Sequence, residues 1–575
     1  MDNRAVAKIL LEIADLLEIK GENSFRIRSY RIGAETVGHH GREVAEMVRL
    51  GEDLRSLDGI GAGIAGKIKE IVTSGDCAEH RNLLAEVPAG LLELLQIPGL
   101  GPKGVSLVWQ KLGVRSAEEL EAAIVAGRLR TLPGMKEKKE ERLLKGLRER
   151  RSAQRRFLLP VAEEAVVRLQ KHLWDAGASR VEAAGSFRRR RECVGDVDLI
   201  AVGGTPASLS EAFTSHPDVA EVLARGPEKA SVVLRSGLQV DLRYSQQDAI
   251  GAALQYFTGS KAHNVALRER ALRRGLKLNE YGLFRGEERI AGESEEQIYA
   301  ALGLELVPPE LREDRGEIQA AERSALPRLV EVADLKGDLH SHTTESDGHH
   351  SLEDMVDAAR RRGLAYLAVT DHSRAIPSPK NGTGMDEARC LAHIERIREL
   401  QPRVLPFRVL AGIEVDILPD GRLDMADDVL AQLDVVVASL HSRFDMERAA
   451  MTERVLRAFE NPHFQIWGHP LARLILKRDP VQIDLAQLIE AAAKRGIVLE
   501  VNGQPDRLDL PDDWIRAARD QGVRFAVSSD SHWSHSFDRH LPLGIGQARR
   551  GWLCAEDVVN CSDADTLLAK LRRAS

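Results

Sequence analysis

From Lys336 to the C-terminus, apolar β-type runs alternate with helical segments, and most of the runs end on the same few residue types. "LAYLAVTDH" ends on His372, "FRVLAGIEVDI" carries Glu414 near its end, and "LDVVVASLHS" and "FQIWGHP" carry His441 and His469. "VRFAVSSDSH" ends on Asp530 and His532, and "GIVLEVNG" belongs to the same series. Ahead of them, "GDLHSHTTESDG" sets His340 and His342 two apart at a strand end, with Asp347 in the following turn. Such β–α alternation predicts a parallel α/β domain closed into a barrel, with its chemistry at the C-terminal ends of the strands. One histidine at a strand end is usually structural; six at matching ends are not. Imidazole with carboxylate suits Mn²⁺ or Zn²⁺. The nine candidate ligands can hold two to three ions, with Glu414 or Asp530 bridging. His349, His350, His535 and His540 lack this placement and read as surface residues.

The barrel fills less than half of the 575 residues, a length that accommodates several domains. A hydrophobic share of 43% and a charged share of 29% fit soluble globular protein. No run of eighteen apolar residues marks a membrane span. The opening "MDNRAVAKILLEIADLLEIKG" carries acids through its apolar part, unlike a secretory signal. The five cysteines form no CxxC pair, and a reducing cytoplasm is expected. The net charge of −7 hides an asymmetry. Residues 101–200 hold 22 Lys+Arg against 14 Asp+Glu, whereas residues 336–575 hold 31 against 37. The middle of the chain can therefore meet phosphates, and the C-terminal part can hold cations.

Residues 1–150 read as short helices joined by glycine turns. Gly59-Ile60-Gly61 and Gly99-Leu100-Gly101 each precede a helix with an early lysine, Lys67 or Lys103, and Pro133-Gly134-Met135 is a weaker third copy. Such a turn leaves backbone N–H groups free at a helix N-terminus, where they hold phosphate oxygens. The pattern resembles helix-hairpin-helix elements, which grip DNA backbone without reading sequence.

"GSFRRRRECVGDVDLI" joins four arginines, Arg188 to Arg191, to two acids in an apolar run. On a strand Asp196 and Asp198 share a face, and Asp241 in "LQVDLRY" offers a third carboxylate from another run. Hard oxygens in this number suit Mg²⁺ or Mn²⁺ completed by substrate phosphates. Gly185 leaves room for a phosphate, with the Ser186 hydroxyl and Arg189 as donors, and the arginine run is expected to neutralise triphosphate or DNA.

With "YFTGSKAHN", these motifs make residues 1–315 resemble the family X DNA polymerases, similar to polymerase beta. The resemblance implies a nucleotidyltransferase palm in which Tyr256 and Phe257 face the incoming sugar. It also implies that Gly259 and Asn264 help bind the nucleotide, and Ser186 and Arg189 its phosphates. Lys261 stands where the polymerase beta pattern has an acid, and it is expected to reach the nucleotide or a phosphate. Lys67 falls at the family's Schiff-base lysine for deoxyribose-phosphate removal, but its companion basic position is Gly63, so weak lyase activity is expected. Residues 336–575 resemble the polymerase-and-histidinol-phosphatase (PHP) domain, with all nine ligand positions matched. That implies a phosphoesterase, here a 3′–5′ exonuclease that also cleaves at abasic sites.

The expected fold is multidomain α and α/β. It comprises an N-terminal helical domain (1–85), fingers with a second hairpin (86–150), palm (151–245), thumb (246–315), linker (316–335) and a seven-stranded PHP barrel (336–575). The expected enzyme is a DNA-directed DNA polymerase that fills short gaps in repair, working as a monomer on gapped or nicked DNA with dNTP. The alternatives are a DNA-end-binding phosphoesterase and a scaffold without efficient polymerisation.

Overall fold

The computed structural model describes residues 3–572 except 41, 58, 89, 96, 98, 137, 138, 145, 146, 148–155 and 377–383. The chain divides into two compact units, Met1–Gln154 and Arg155–Ser575. Among its described residues the first unit is helical. Helix Asn3–Lys20 buries Val6, Leu10, Ile13 and Leu17, residues three or four apart that make one apolar stripe. That stripe joins a core shared with Ile64 and Ile68 of helix Ala62–Ser74 and Val105 and Val108 of helix Pro102–Leu112.

The second unit begins with a five-stranded sheet. Asp196–Val202 lies between Arg180–Ala183 and Gln239–Tyr244, and Lys229–Leu234 and Val219–Arg225 continue outward. Asp196–Val202 and Gln239–Tyr244 run parallel; the other pairs are antiparallel. Helices Leu159–Asp175 and Pro206–Thr214 add Leu169, Leu173, Leu209 and Phe213 to the core beneath it. A mixed segment follows, with helices Ile250–Thr258, Lys261–Arg273 and Glu295–Ala301 around a three-stranded sheet.

Residues 316–335, expected as a linker from their charge, are packed. Helix Glu317–Glu322 buries Ile318, Ala320 and Ala321 in the core of the preceding segment. Its acid Glu317 is fully buried and accepts from the N–H groups of Asp314 and Arg315, and it meets His263 Nδ1 at 2.6 Å. Glu317 thus satisfies buried partners, while Glu322, Arg323, Arg328 and Glu331 stay exposed.

The C-terminal part is a parallel seven-stranded sheet in strict chain order: Gly337–Asp338, Tyr366–Val369, Arg408–Asp416, Val435–Ser439, Ile466–Trp467, Val498–Asn502 and Phe525–Ser528. A parallel bridge from Ser341 to Ser531 joins its two ends, so the sheet is a nearly closed barrel. The period of two sorts the side chains. Leu367, Val369, Val436 and Ala438 pack outward against the helices, whereas Tyr366, Ala368, Val435 and Val437 form a separate inner cluster. Leu567 and Leu571 of helix Ala564–Leu571 join that inner cluster. Apolar packing thus fills one part of the barrel interior, and the polar residues gather at the C-terminal ends of the strands.

Candidate polymerase and metal sites

Asp196 opens its strand and Asp198 follows two residues on, so both carboxylates share a face. The parallel partner strand sets Asp241 in register with Asp198. Burial, then Asp196 and Asp241, push the Asp198 carboxyl up to about 6. Lys229 Nζ lies 2.5 Å from Asp241 Oδ2, and Arg243 Nε lies 3.8 Å from Asp198 Oδ1. Neither cation was picked out from sequence, although Lys229 is paired with Arg243 across the neighbouring antiparallel strand. Gly185 takes a φ of +63°, and a Cβ there would come 2.9 Å from Asp198 Oδ2. Only glycine lets the turn pass this close to the carboxylate. Three crowded hard oxygen donors, with the Asp196 and Asp198 carboxyls pushed up by burial and by their acidic neighbours, fit Mg²⁺ or Mn²⁺.

Three of the four arginines are committed to the fold. Arg188 donates to Glu295 and to the Thr258 hydroxyl, the latter at 2.7 Å. Arg189 donates to Glu313 at 3.1 Å and to the Thr258 carbonyl, and Arg190 donates to Glu163. Arg191 is the most open of them, 3.7 Å from Glu313. Ser186 lies half-buried in the same turn. Tyr256 and Phe257 meet edge to face at 5.0 Å, with the Arg243 guanidinium 4.1 Å above the Phe257 ring. Gly259 brings the backbone against Arg189, whose Nη1 would stand 3.1 Å from a Cβ there. Asn264 donates to the Tyr256 carbonyl at 2.6 Å and accepts from Gln255. Lys261 starts its helix exposed.

At the barrel rim the nine residues singled out from strand ends converge. Glu414 is the hub: His372 Nδ1 and His469 Nε2 approach it at 2.9 Å, His340 Nε2 at 3.2 Å and His441 Nε2 at 3.3 Å. His342 Nε2 lies 3.3 Å from Asp530 Oδ1, and Asp347 Oδ2 lies 3.2 Å from His532 and 3.5 Å from His372. Three overlapping groups have ligand atoms within 4.8 Å of one another: His342, Asp347, His372 and His532; His340, His342 and Asp530; and His372, Glu414 and His441. Among the described residues, His340 Nε2 and both ring nitrogens of His342 and His441 are buried without a hydrogen-bond partner. Buried polar atoms left this way, facing carboxylates, fit a set of ligands for two to three ions. Burial opposes ionisation of Glu414, but His340, His441 and His372 hold it well below the usual range. His469 and Asp530 adopt φ of +26° and +50°, left-handed backbone of the kind stored at functional sites.

The glycine turns of the first unit share one geometry. Gly59 and Gly99 take φ of +76° and +94°, and each is followed two residues on by a glycine with open space around it. The Ile60 N–H donates to the Leu57 carbonyl, and the Leu100 N–H donates to the Ile97 carbonyl. The third copy repeats this bond, Met135 to Leu132, with Gly134 at +75°. Neither Gly61 nor Gly101 supplies a side-chain cap, so no side chain at that position competes with an anion for the helix-start N–H groups. Lys103 sits in the first turn after Gly101; Lys67 sits a turn further on, 3.6 Å from Glu70, and the space around Gly63 is empty.

Four family models match this chain: helix-hairpin-helix domain over residues 1–77, SAM-like helix-hairpin-helix tandem over 91–149, DNA polymerase beta thumb over 253–313, and PHP domain over 338–504. A Bacillus subtilis (strain 168) protein named DNA polymerase/3′-5′ exonuclease PolX is 36% identical over 581 residues, covering 100% of both chains. This chain belongs to the family X DNA polymerases with a C-terminal PHP domain. Shorter relatives share part of the family X chain. A probable phosphatase of a Thermoanaerobacter species is 29% identical over 218 residues, 35% of this chain and 81% of its own length. One of Acetivibrio thermocellus is 29% identical over 219 residues, 36% and 84% of the two lengths.

The rim of this family X chain also contains residues that sequence reasoning passed over. His340 Nδ1 meets Glu500 at 2.7 Å, and His441 Nδ1 meets Asp416 at 3.3 Å. Glu500 thus holds the His340 ring nitrogen opposite the one aimed at the cluster, which fixes its tautomer and orientation, and Asp416 lies beside the corresponding nitrogen of His441. Glu500 lies in "GIVLEVNG", as the one acid in an apolar strand, and that was the available signal.

Among the described residues, no helix is long and apolar enough to cross a membrane.

Proposed function

We propose that this family X polymerase fills short gaps during DNA repair and trims 3′ ends with its PHP domain. The observation that carries the synthetic half is the in-register pair Asp198 and Asp241 on adjacent parallel strands beside the Gly185 turn. In this reading residues 151–245 are the palm, 246–315 the thumb and 336–575 the nuclease. Divalent ions, Mg²⁺ or Mn²⁺ in the palm and Mn²⁺ or Zn²⁺ at the barrel rim, supply charge that stabilises the phosphoryl transition state and acidify the attacking hydroxyl or water. The chain's own residues do the positioning. Asp196, Asp198 and Asp241 hold the palm ions. Tyr256 and Phe257 line the sugar of the incoming dNTP, and Asn264 and Lys261 lie beside them. Ser186 and Arg189 receive its phosphates, for which Arg189 exchanges Glu313 for a phosphate oxygen. The glycine turns grip backbone of gapped or nicked DNA, and the enzyme works as a monomer in the cytoplasm. At the rim, His340, His342, Asp347, His372, Glu414, His441, His469, Asp530 and His532 would hold ions whose charge would assist hydrolysis of a DNA phosphodiester, including at abasic sites.

The test is primer extension and 3′ degradation on one gapped substrate, side by side with Mg²⁺ and with Mn²⁺. Labelled nucleotide added to the primer supports the reading. DNA binding without addition would favour a phosphoesterase or scaffold.

A further inference from the structure

The turn that carries His532 continues into Trp533, a side chain 43% exposed at the rim of the metal cluster. Its ring lies flat on His349, with centroids 3.6 Å apart and planes 13° from parallel. Among the described residues its other ring contacts are His350, edge-on at 5.9 Å, and His535, tilted at 5.7 Å. One face of the indole is therefore taken by His349, while 43% of the residue stays open to solvent. The stack is tied to the ligand turn. His349 N–H donates to the His532 carbonyl at 2.8 Å, and Ser534 N–H donates to His350 Nδ1 at 3.1 Å. Three of the histidines that read as surface residues thus surround an aromatic plate one residue away from a candidate metal ligand.

We propose that Trp533, backed by His349, is the stacking platform for the terminal base of a single-stranded DNA 3′ end entering the barrel site. The inference deepens, and rests on, the nuclease reading of that site. Charge favours this mode of grip. The barrel segment holds 31 Lys+Arg against 37 Asp+Glu, so it offers the phosphate backbone little attraction. Stacking needs no charge, accepts every base, and reads only that a base is unpaired and free to lie on the plate. A paired 3′ terminus keeps its base in the duplex, so the platform would direct degradation to frayed or mispaired ends.

The test uses the full chain with an oligonucleotide carrying 2-aminopurine at its 3′ end, in chelator, so that no cleavage occurs. Stacking on indole quenches the probe. Wild type should quench it, Trp533→Ala should not, and Trp533→Phe should keep most of the effect. Steady-state degradation with Mn²⁺ is then compared on two single strands, one ending in a base and the other in an abasic sugar. Trp533→Ala should raise KM about five- to a hundredfold on the first and leave the second unchanged. Equal losses on both strands, together with weaker Mn²⁺ binding by calorimetry, would show a brace for the ligand turn and overturn the proposal. Unchanged quenching in Trp533→Ala would overturn it as well. Absence of degradation by wild type, with quenching still dependent on Trp533, would instead count against the nuclease reading.

Discussion

Arg550, at the end of the barrel helix Phe537–Arg550, donates to the main-chain carbonyl of Arg189 at 2.8 Å. The same guanidinium, 2% exposed, also donates to Glu313 at 3.1 Å and Asp512 at 2.8 Å. The turn that carries Gly185, Ser186 and Arg189 thus leans on the nuclease domain. Arg550→Ala should raise the KM for dNTP, with loss of nucleotide addition of up to about a hundredfold, the scale set by small misplacements of a positioned group. Degradation of single-stranded DNA should persist, because Arg550 touches none of the rim ligands. Arg550→Lys should recover part of the dNTP affinity. A fall in kcat alone, with KM unchanged, would argue against positioning of the phosphate turn.

The two activities should otherwise separate by mutation. Asp196→Ala with Asp198→Ala removes two of the three palm carboxylates, and nucleotide addition should fall by about a thousandfold or more. The nuclease should survive, since its candidate ligands begin at His340. His342→Ala or Asp530→Ala should do the reverse. Both rates are measured on one gapped substrate after circular dichroism confirms folding; parallel loss in folded variants would mean a single shared site.

Glu295 joins Arg188 and the fully buried Arg312, and it makes the attachment of thumb to palm sensitive to acid. Burial alone would raise its carboxyl, but Arg312 and Arg188 hold it down to about 2 from the usual 4.5. A depressed carboxyl stabilises the folded state above its unfolded value, and that stability drains away as pH falls toward the folded value. Thermal melts of wild type and Glu295→Gln should differ fully at neutral pH, and the gap should close between about pH 4.5 and about pH 2. A gap that stays constant across that window would remove Glu295 as the cause.

Gly59→Ala should cripple DNA binding through the first hairpin. Its φ of +76° costs an L-residue about 1–2 kcal/mol, and the new Cβ would sit 2.3 Å from Ile32 Cγ2. Melting of the N-terminal unit should come down, and affinity for gapped duplex should fall. The salt dependence of the remaining binding should be shallower, as fewer phosphates are engaged. Unchanged affinity and slope would mean that this turn does not touch the backbone.

Lyase activity should be weak. Lys67 lies 3.6 Å from Glu70, and no basic side chain stands at Gly63. Borohydride trapping on a nicked abasic substrate should give little adduct; a strong adduct that vanishes in Lys67→Ala would show otherwise.

Periodicity along the chain determined much of this protein. A period of two placed Asp196 and Asp198 on one face, and apolar runs ending in His or acid marked the barrel and brought nine rim residues within reach. These features are local, because a strand's alternation and its C-terminal end can be read without knowing its neighbours. Glu500 and Asp416 escaped notice because a lone carboxylate in an apolar run does not reveal which ring nitrogen it will meet across the barrel. The charge of residues 316–335 suggests a linker because charge usually means solvent, yet Glu317 meets His263 from far away in the chain. The arginine run shows the division best. Its density announced a partner of opposite charge, and phosphate was the simplest candidate. Only the tertiary structure decided that Glu295, Glu313 and Glu163, together with the Thr258 carbonyl, receive Arg188, Arg189 and Arg190. Pairing of charges is settled by which groups the fold brings within a few ångströms and removes from water, and sequence spacing carries no record of those distances.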